Sequence, residues 1–208
     1  QKKDKPFIEI ARKAILAHTL AALEESKVID SIVVVIPHDK VKICKKLVKK
    51  HRLKKVSSIT PGGEERFDSV KCGLRKARDA DLVMIHDGAR PFIEGALIKK
   101  VFTAAKKYGA AICATPLKQT LKMVSKNLFI TKTLKRASLW EAQTPQAFRR
   151  NLIEEAYAQA KEKSPTDDSS LVERLGHKVK IVMGSHRNIK ITTPEDLALA
   201  RVLLKRKI

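Results

Sequence analysis

The chain predicts an α/β fold: a doubly wound, mostly parallel, Rossmann-like sheet with helices on both faces and a β-hairpin arm projecting from it. Three observations carry this. Short continuous apolar runs, "SIVVVIP" and "DLVMIHD", have the length and β-branched content of strands buried on both faces. Segments of helical periodicity alternate with such runs, as crossover connections between parallel strands require. One stretch, residues 116–139, breaks the alternation with two short segments of period two, "QTLKMV" and "LFITKTL", around the turn residues "SKN".

The elements follow in chain order. Residues 14–26 have helical periodicity. Residues 31–37 are a buried strand and 40–51 a helix. Residues 56–60 form a short strand ending in the turn "PGGEE", and 66–78 a helix. Residues 81–87 are the next buried strand, 95–108 a helix, and "GAAICATP" a strand. The arm comes next. An isolated hairpin is marginal in water, so it is expected to pack on a second copy of the chain. Helices are expected at 146–163 and 167–175, and a strand at 179–185. Thr193 suits an N-cap, Pro194 the first helical position, and Glu195 and Asp196 the positive end of the helix dipole. Trp140 reads as a packing anchor. With no linker, internal repeat or low-complexity tract, residues 1–208 read as one domain.

Composition narrows the function classes. A hydrophobic fraction of 43% argues against disorder, and no apolar run is long enough to span a bilayer. Cys44, Cys72 and Cys113 lack metal or redox spacing and read as buried apolar fillers in a reducing compartment. The net charge of +22, from 44 basic and 22 acidic residues, admits either nucleic acid or small anionic substrates as partners. The basic residues are spread along the chain, with one bias. No acidic residue lies between Gly95 and Trp140, and Lys118, Lys122, Lys126, Lys132, Lys135 and Arg136 fall in the second half of that stretch. At 4% aromatic content, base-stacking platforms are not expected.

In doubly wound sheets, ligands sit beyond the C-terminal ends of the strands. That singles out "PGGEER" and "HDGARPF". Gly62 and Gly63 would let backbone approach a ligand at a helix N-terminus, or simply form a turn. Asp87 could hold a divalent cation or a ribose hydroxyl, with Arg90 bracing the loop, or the two could be a structural pair. His86 reads as a core histidine. Lys190, set between Ile189 and Ile191 ahead of the last helix, is either solvated or aimed at an anion. No His, Cys and Glu cluster has metal-site spacing, and no GxSxG is present.

Five stretches occur in register: "TPGGEERFDSV", "MIHDGARPF", "KRASLWEAQTPQAF", "TDDSSLVE" and "NIKITTPEDLALA". On these the chain resembles the 2-C-methyl-D-erythritol 4-phosphate cytidylyltransferase family of the non-mevalonate isoprenoid pathway. The related ribitol-5-phosphate cytidylyltransferases share much of the pattern. The resemblance implies transfer of a cytidylyl group from CTP to a sugar-alcohol phosphate, with Mg2+ as cofactor and pyrophosphate released. The attacking phosphate monoester, with a second pKa of about 6, is already largely ionised at neutral pH. Neither a general base nor a covalent nucleophile is needed. Positioning and positive charge at the crowded α-phosphate are. A basic nucleic-acid-binding protein is the competing class, but charge alone would not require "HDGARP".

Carried over residue by residue, the resemblance implies catalytic roles for Lys5, Lys190 and Arg136. It places Gly62, Gly63, Glu64, Ser69, Asp87, Gly88, Arg90 and Lys190 around CTP, and Asp87 near the metal. It places Thr120, Arg136, Thr144, Thr166 and Asp87 around the sugar phosphate. Arg136 would act from the arm of one subunit in the site of the other, making a homodimer. No nucleic-acid or membrane partner is implied. The setting would be a bacterial cytoplasm, or a plastid in a eukaryote. Two departures stand out. The family opens with a strand and a glycine-rich loop, roughly "AAGxGxRM", and this sequence starts just downstream of where that loop falls. Either the numbering omits those residues or the chain is a fragment, and as written it is expected to lack a central strand and activity. "DKPF" also replaces the family's "PKQF", so the match at Lys5 rests on the flanking "FIEI" and "ILAHTL".

Overall fold

The computed structural model describes residues 2–161 and 165–205. A short 3-10 turn, Lys2–Phe7, leads into β1 (Glu9–Ile10) and β2 (Lys13–Ala14), which pair antiparallel ahead of α1 (Ile15–Glu24). Then come β3 (Ile32–Ile36), α2 (Val41–Lys50), β4 (Val56–Pro61), α3 (Arg66–Lys76), β5 (Leu82–Ile85), α4 (Gly95–Tyr108) and β6 (Ala110–Pro116). The arm carries β7 (Lys122–Val124) and β8 (Ile130–Thr133). The chain closes with β9 (Trp140–Arg149), α5 (Arg150–Ala158), α6 (Ser169–Arg174), β10 (Lys180–Met183) and α7 (Pro194–Lys205).

The central sheet has the order β10-β6-β9-β5. β10 runs parallel to β6, whereas β9 is antiparallel to both β6 and β5. β5 and β6 therefore point the same way. β3 and β4 form a separate parallel pair that shares one apolar core with the central sheet. Strand pleating divides the residues between two layers. Ala111, Cys113 and Ala147 belong to one apolar cluster together with residues of α1, α2 and α4, while Ala110, Ile112 and Phe148 belong to another with residues of α3, α5 and α6. This is the doubly wound arrangement. Burial pushes the thiol pKa of Cys44 up to about 11 and that of Cys113 up to about 12, so both are neutral core fillers.

The expected helix over residues 146–163 is corrected. Gln146–Arg149 belongs to β9, the helix spans Arg150–Ala158, and residues 162 and 163 lie outside the described residues. β9 hid from the pattern because Gln143, Thr144 and Gln146 are polar yet at most 5% exposed. Their partners are distant in sequence. The β6–β9 register shifts between Ile112 and Ala114, which accommodates Pro145, a residue with no N–H for the ladder. Trp140 is a second correction. At 38% exposed, opposite Pro116 at the start of β9, it belongs to no apolar core cluster among the described residues.

The arm projects as expected. β7 and β8 pair antiparallel, and Leu128, Phe129 and Ile130 at the tip are 81%, 74% and 63% exposed. Its stem is closed by the Leu117 N–H on the Leu139 carbonyl.

At α7 the N-terminus is a reciprocal cap. The Asp196 N–H donates to Thr193 Oγ1 (3.2 Å), and Asp196 Oδ2 accepts from the backbone of Thr192 (2.8 Å) and Thr193 (2.9 Å). Burial opposes the charged carboxylate, but the hydrogen bonds from Thr192 and Thr193 together outweigh it and hold Asp196 below its usual pKa. Replacing Thr193 with alanine is expected to lower stability by about 1 kcal/mol, seen as a lower denaturation midpoint at constant m. A carboxylate with a depressed folded pKa stabilises above its unfolded value. The contribution fades as pH falls through the folded one, so the difference should shrink in acid.

Candidate active site

Asp87 lies just past the C-terminal end of β5, its side chain 14% exposed, with three cations around it. Its Oδ2 takes Arg90 Nε at 3.2 Å and the Lys190 ammonium at 3.1 Å. Arg66 Nε stands 3.8 Å from Oδ1. Among the described residues, no hydrogen-bond donor reaches Oδ1. Burial alone would raise the pKa of Asp87. Lys190, Arg90 and Arg66 together outweigh burial and lower it, so the group stays ionised.

The loop that presents Asp87 is tied down on three sides. The Arg90 guanidinium also donates to the Asn188 carbonyl (2.8 Å), and Ile191 N–H to the Ala89 carbonyl (2.9 Å). Thr19 Oγ1 donates to the Gly88 carbonyl (2.9 Å), where a Cβ would press on Leu16. Thr144 Oγ1 accepts the Asp87 N–H (3.0 Å) and lies 3.0 Å from His86 Nδ1. The hydroxyl can accept one bond and donate the other. His86 Nε2–H then donates to the Arg90 carbonyl (3.2 Å). Burial lowers the His86 pKa to about 4, which keeps it in this neutral form. His86 is the core brace that its position suggested.

Asn188, fully buried, donates to the Thr144 carbonyl (2.9 Å) and to Gln143 Oε1 (3.3 Å). Gln146 donates to Asp167 Oδ2 (2.8 Å) and accepts the N–H groups of Asp168 (3.2 Å) and Ser169 (3.1 Å). Asp168, with no exposed surface, receives both Nη atoms of Arg66 (2.8 and 2.5 Å) and the Tyr157 hydroxyl (2.5 Å). Burial and the neighbouring Asp168 push the Tyr157 pKa up, so its hydroxyl stays a donor. Arg66 opens α3 and links this buried carboxylate to Asp87. All five stretches named above therefore converge on one carboxylate.

The remaining residues divide into near and far. Gly62 and Gly63 leave β4 toward the first turn of α3, where a Cβ on Gly62 would strike Ser69 Oγ and one on Gly63 would strike Asp68 Cβ. Glu64, beside them, is exposed. Lys5 Nζ donates to the Thr192 carbonyl, two residues beyond Lys190. Thr166, exposed, lies two residues ahead of Asp168. Thr144 is 4% exposed, and its hydroxyl serves Asp87 and His86. Arg136 and Thr120 are not brought to this cluster within the chain. Arg136 Nη1 donates to the Lys118 carbonyl (2.8 Å) on the exposed arm, where Thr120 also lies. Arg66, Asp168, Tyr157, Gln146 and Asn188 are part of the site's framework, and sequence reasoning did not single them out. Only the motifs around them gave a signal.

Among the described residues, no three His, Cys, Asp or Glu side chains come together as a metal site, and no helix is long and apolar enough to cross a membrane. A magnesium ion needs less than a full protein cage. It is held by one or two carboxylates together with substrate phosphates, keeping several waters. The open Oδ1 of Asp87 fits that demand.

A doubly wound domain with a glycine turn, an ionised carboxylate and convergent lysine and arginine at the C-terminal ends of its strands is that of a nucleotidyltransferase. The model of the 2-C-methyl-D-erythritol 4-phosphate cytidylyltransferase family matches residues 1–206, and the chain belongs to that family. A cytidylyltransferase of that name from Alkaliphilus oremlandii is 44% identical over 206 residues, covering 97% of this chain and 87% of its own. One from Dehalococcoides mccartyi is 45% identical over 204 residues, covering 98% and 89%. Among solved structures, the 4-diphosphocytidyl-2C-methyl-D-erythritol synthase of Anaerococcus prevotii superposes with a TM-score of 0.88 at 35% identity, covering 97% of this chain and 90% of that one. The chain is thus a transferase of the non-mevalonate pathway, joining CTP and 2-C-methyl-D-erythritol 4-phosphate into 4-diphosphocytidyl-2-C-methyl-D-erythritol with release of pyrophosphate.

Proposed function

We propose that Asp87 and Lys190 form the reacting centre of this transfer, Lys190 guiding the sugar phosphate to the α-phosphorus of CTP. The observation that carries the reading is the Lys190–Asp87 pair itself. The ammonium is fixed by a mostly covered carboxylate on one side, yet the lysine side chain is 43% exposed. A phosphate oxygen arriving there meets a cation whose position costs no reorganisation. In the transfer, the sugar-phosphate oxygen forms the new P–O bond and the bond to pyrophosphate breaks. The attacking oxygen already lacks its proton, so no chain residue has to remove one.

Gly62, Gly63 and Ser69 provide the turn that receives the cytosine. Gly88, Arg90, Glu64 and Asp87 line the ribose side, and Lys5 stands beside the Lys190 loop. Thr144 and Thr166 stand on the sugar-phosphate side, Thr144 acting through the Asp87 loop. Magnesium, held by Asp87 and the triphosphate, would add positive charge to the phosphates. Arg136 and Thr120 reach the sugar phosphate from a second subunit, making the working enzyme a homodimer.

The test is a comparison of kcat/KM for 2-C-methyl-D-erythritol 4-phosphate and ribitol 5-phosphate, each with CTP and with other nucleotides. The first sugar phosphate with CTP is expected to lead by about tenfold or more, the discrimination a site gains from hydroxyl-directed contacts. Equal or reversed values for the sugar phosphates would remove the proposed hydroxyl-directed contacts from the sugar-phosphate side of the site.

A further inference from the structure

Arg66 is shared between two carboxylates that differ in kind. Asp168 is wholly buried and takes both ends of its fork, with Tyr157 completing the shell. Asp87 Oδ1 lies 3.8 Å from Arg66 Nε, beyond hydrogen-bond reach. The two cations that do bond Asp87, Arg90 and Lys190, both bond Oδ2. A free guanidinium this close to an ionised carboxylate would normally close into a bidentate pair. Here both Nη groups are already committed.

We infer that Asp168 is a positioning residue that holds Arg66 back from Asp87 and so keeps Oδ1 open for a ligand hydroxyl or a ligand-borne cation. The inference rests on the reading that Asp87 lies in the active site. Its chemistry is specific. Remove the charge on Asp168, and Arg66 turns to the nearest remaining anion, which is Asp87. The acceptor that the ligand needs is then occupied.

A second substitution is expected to restore what the first removes. Because relieving an unpaired Arg66 would also rescue folding, activity and Kd are compared on protein whose melting curves show it folded, so that ligand binding rather than stability carries the test. In the full-length enzyme, Asp168→Asn is expected to lower kcat/KM about 10- to 100-fold, the range for losing a hydrogen bond to a charged group. The double variant Arg66→Gln with Asp168→Asn removes the intruding cation and leaves two amides able to bond each other. It is expected to recover about fivefold or more over Asp168→Asn. Calorimetric Kd values for CTP with magnesium and for the sugar phosphate are measured on the same proteins. At least one is expected to weaken in Asp168→Asn and return in the double variant.

Unimpaired activity in Asp168→Asn, a double variant no better than it, or binding constants that never move would each overturn the inference. Should Asp168→Asn not fold, the double variant alone decides. Activity within about tenfold of wild type supports the inference, and a larger loss overturns it. Asp87→Asn separates the two levels. Wild-type activity there removes Asp87 from the site and the inference with it. A loss there without rescue in the double variant overturns the inference alone.

Discussion

Lys190→Ala in the full-length enzyme is expected to lower kcat by about two to three orders of magnitude, the effect of removing one preorganised charge partner from a transition state. The structure explains why so much would hang on one exposed lysine. Ile191 is 3% exposed, and its N–H is bonded to the Ala89 carbonyl, so the backbone at Lys190 is fixed to the loop that presents Asp87. The β-branched neighbours serve as the mounting, and the lysine is what they mount. Its charge needs no search for position when the phosphate arrives. Stability should change little, because Arg90 remains on Asp87 Oδ2 and a partly exposed ion pair contributes about 0–1 kcal/mol. Steady-state kinetics and a melting curve on the same preparation check both halves. A turnover within about threefold of wild type would remove Lys190 from the reacting centre.

Legibility in the sequence followed burial chemistry. β3 and β6 were visible because strands covered on both faces can be apolar throughout, as "IVVVI" and "AAICATP" are. The arm was visible because β7 and β8 are short alternating segments around a polar turn. β9 was not. It buries Gln143 and Gln146, whose partners Ser185, Asn188, Asp167 and Asp168 lie 21 to 45 residues further on, and Thr144, whose hydroxyl meets Asp87 and His86 57 and 58 residues earlier. A pattern of apolar residues cannot register a strand whose burial is made tolerable by distant amides.

The site divides along the same line. Asp87, Gly88 and Arg90 follow a recognisable strand within four residues of one another, so a single motif holds them. Lys190 is 103 residues from Asp87, and only the resemblance connected the two before the fold did. Arg66 and Asp168 are 102 residues apart, each in a run of charged neighbours. Apart from lying in the glycine-turn stretch, nothing local distinguishes Arg66 from Arg75 or Arg78. What distinguishes it is a buried carboxylate that only the packing of α6 against α5 places within reach.

Arg136, like Thr120, is left by the fold away from its expected work. It lies on the projecting stretch between β6 and β9, bonded to the Lys118 carbonyl, with no contact to Asp87 or Lys190 in the same chain. The hairpin beyond it exposes Met123, Val124, Leu128, Phe129 and Ile130, an apolar surface that a second subunit would cover. In the proposed two-fold dimer each arm would reach the partner's site, with Lys190 acting in its own subunit and Arg136 in the other. Arg136→Ala alone is then expected to cost about two orders of magnitude or more in kcat, as losing a charge clamp on a phosphate does. Mixing it with Lys190→Ala under subunit exchange gives the decisive reading. Each mixed dimer carries one site with both defects and one site with neither. Random pairing makes about half the dimers mixed, so about a quarter of wild-type activity should return. The measurement is activity against mixing time, with exchange followed independently by mass-tagged subunits. Exchange without recovery would place Arg136 in its own subunit's site or in none, and the arm's role would be packing alone.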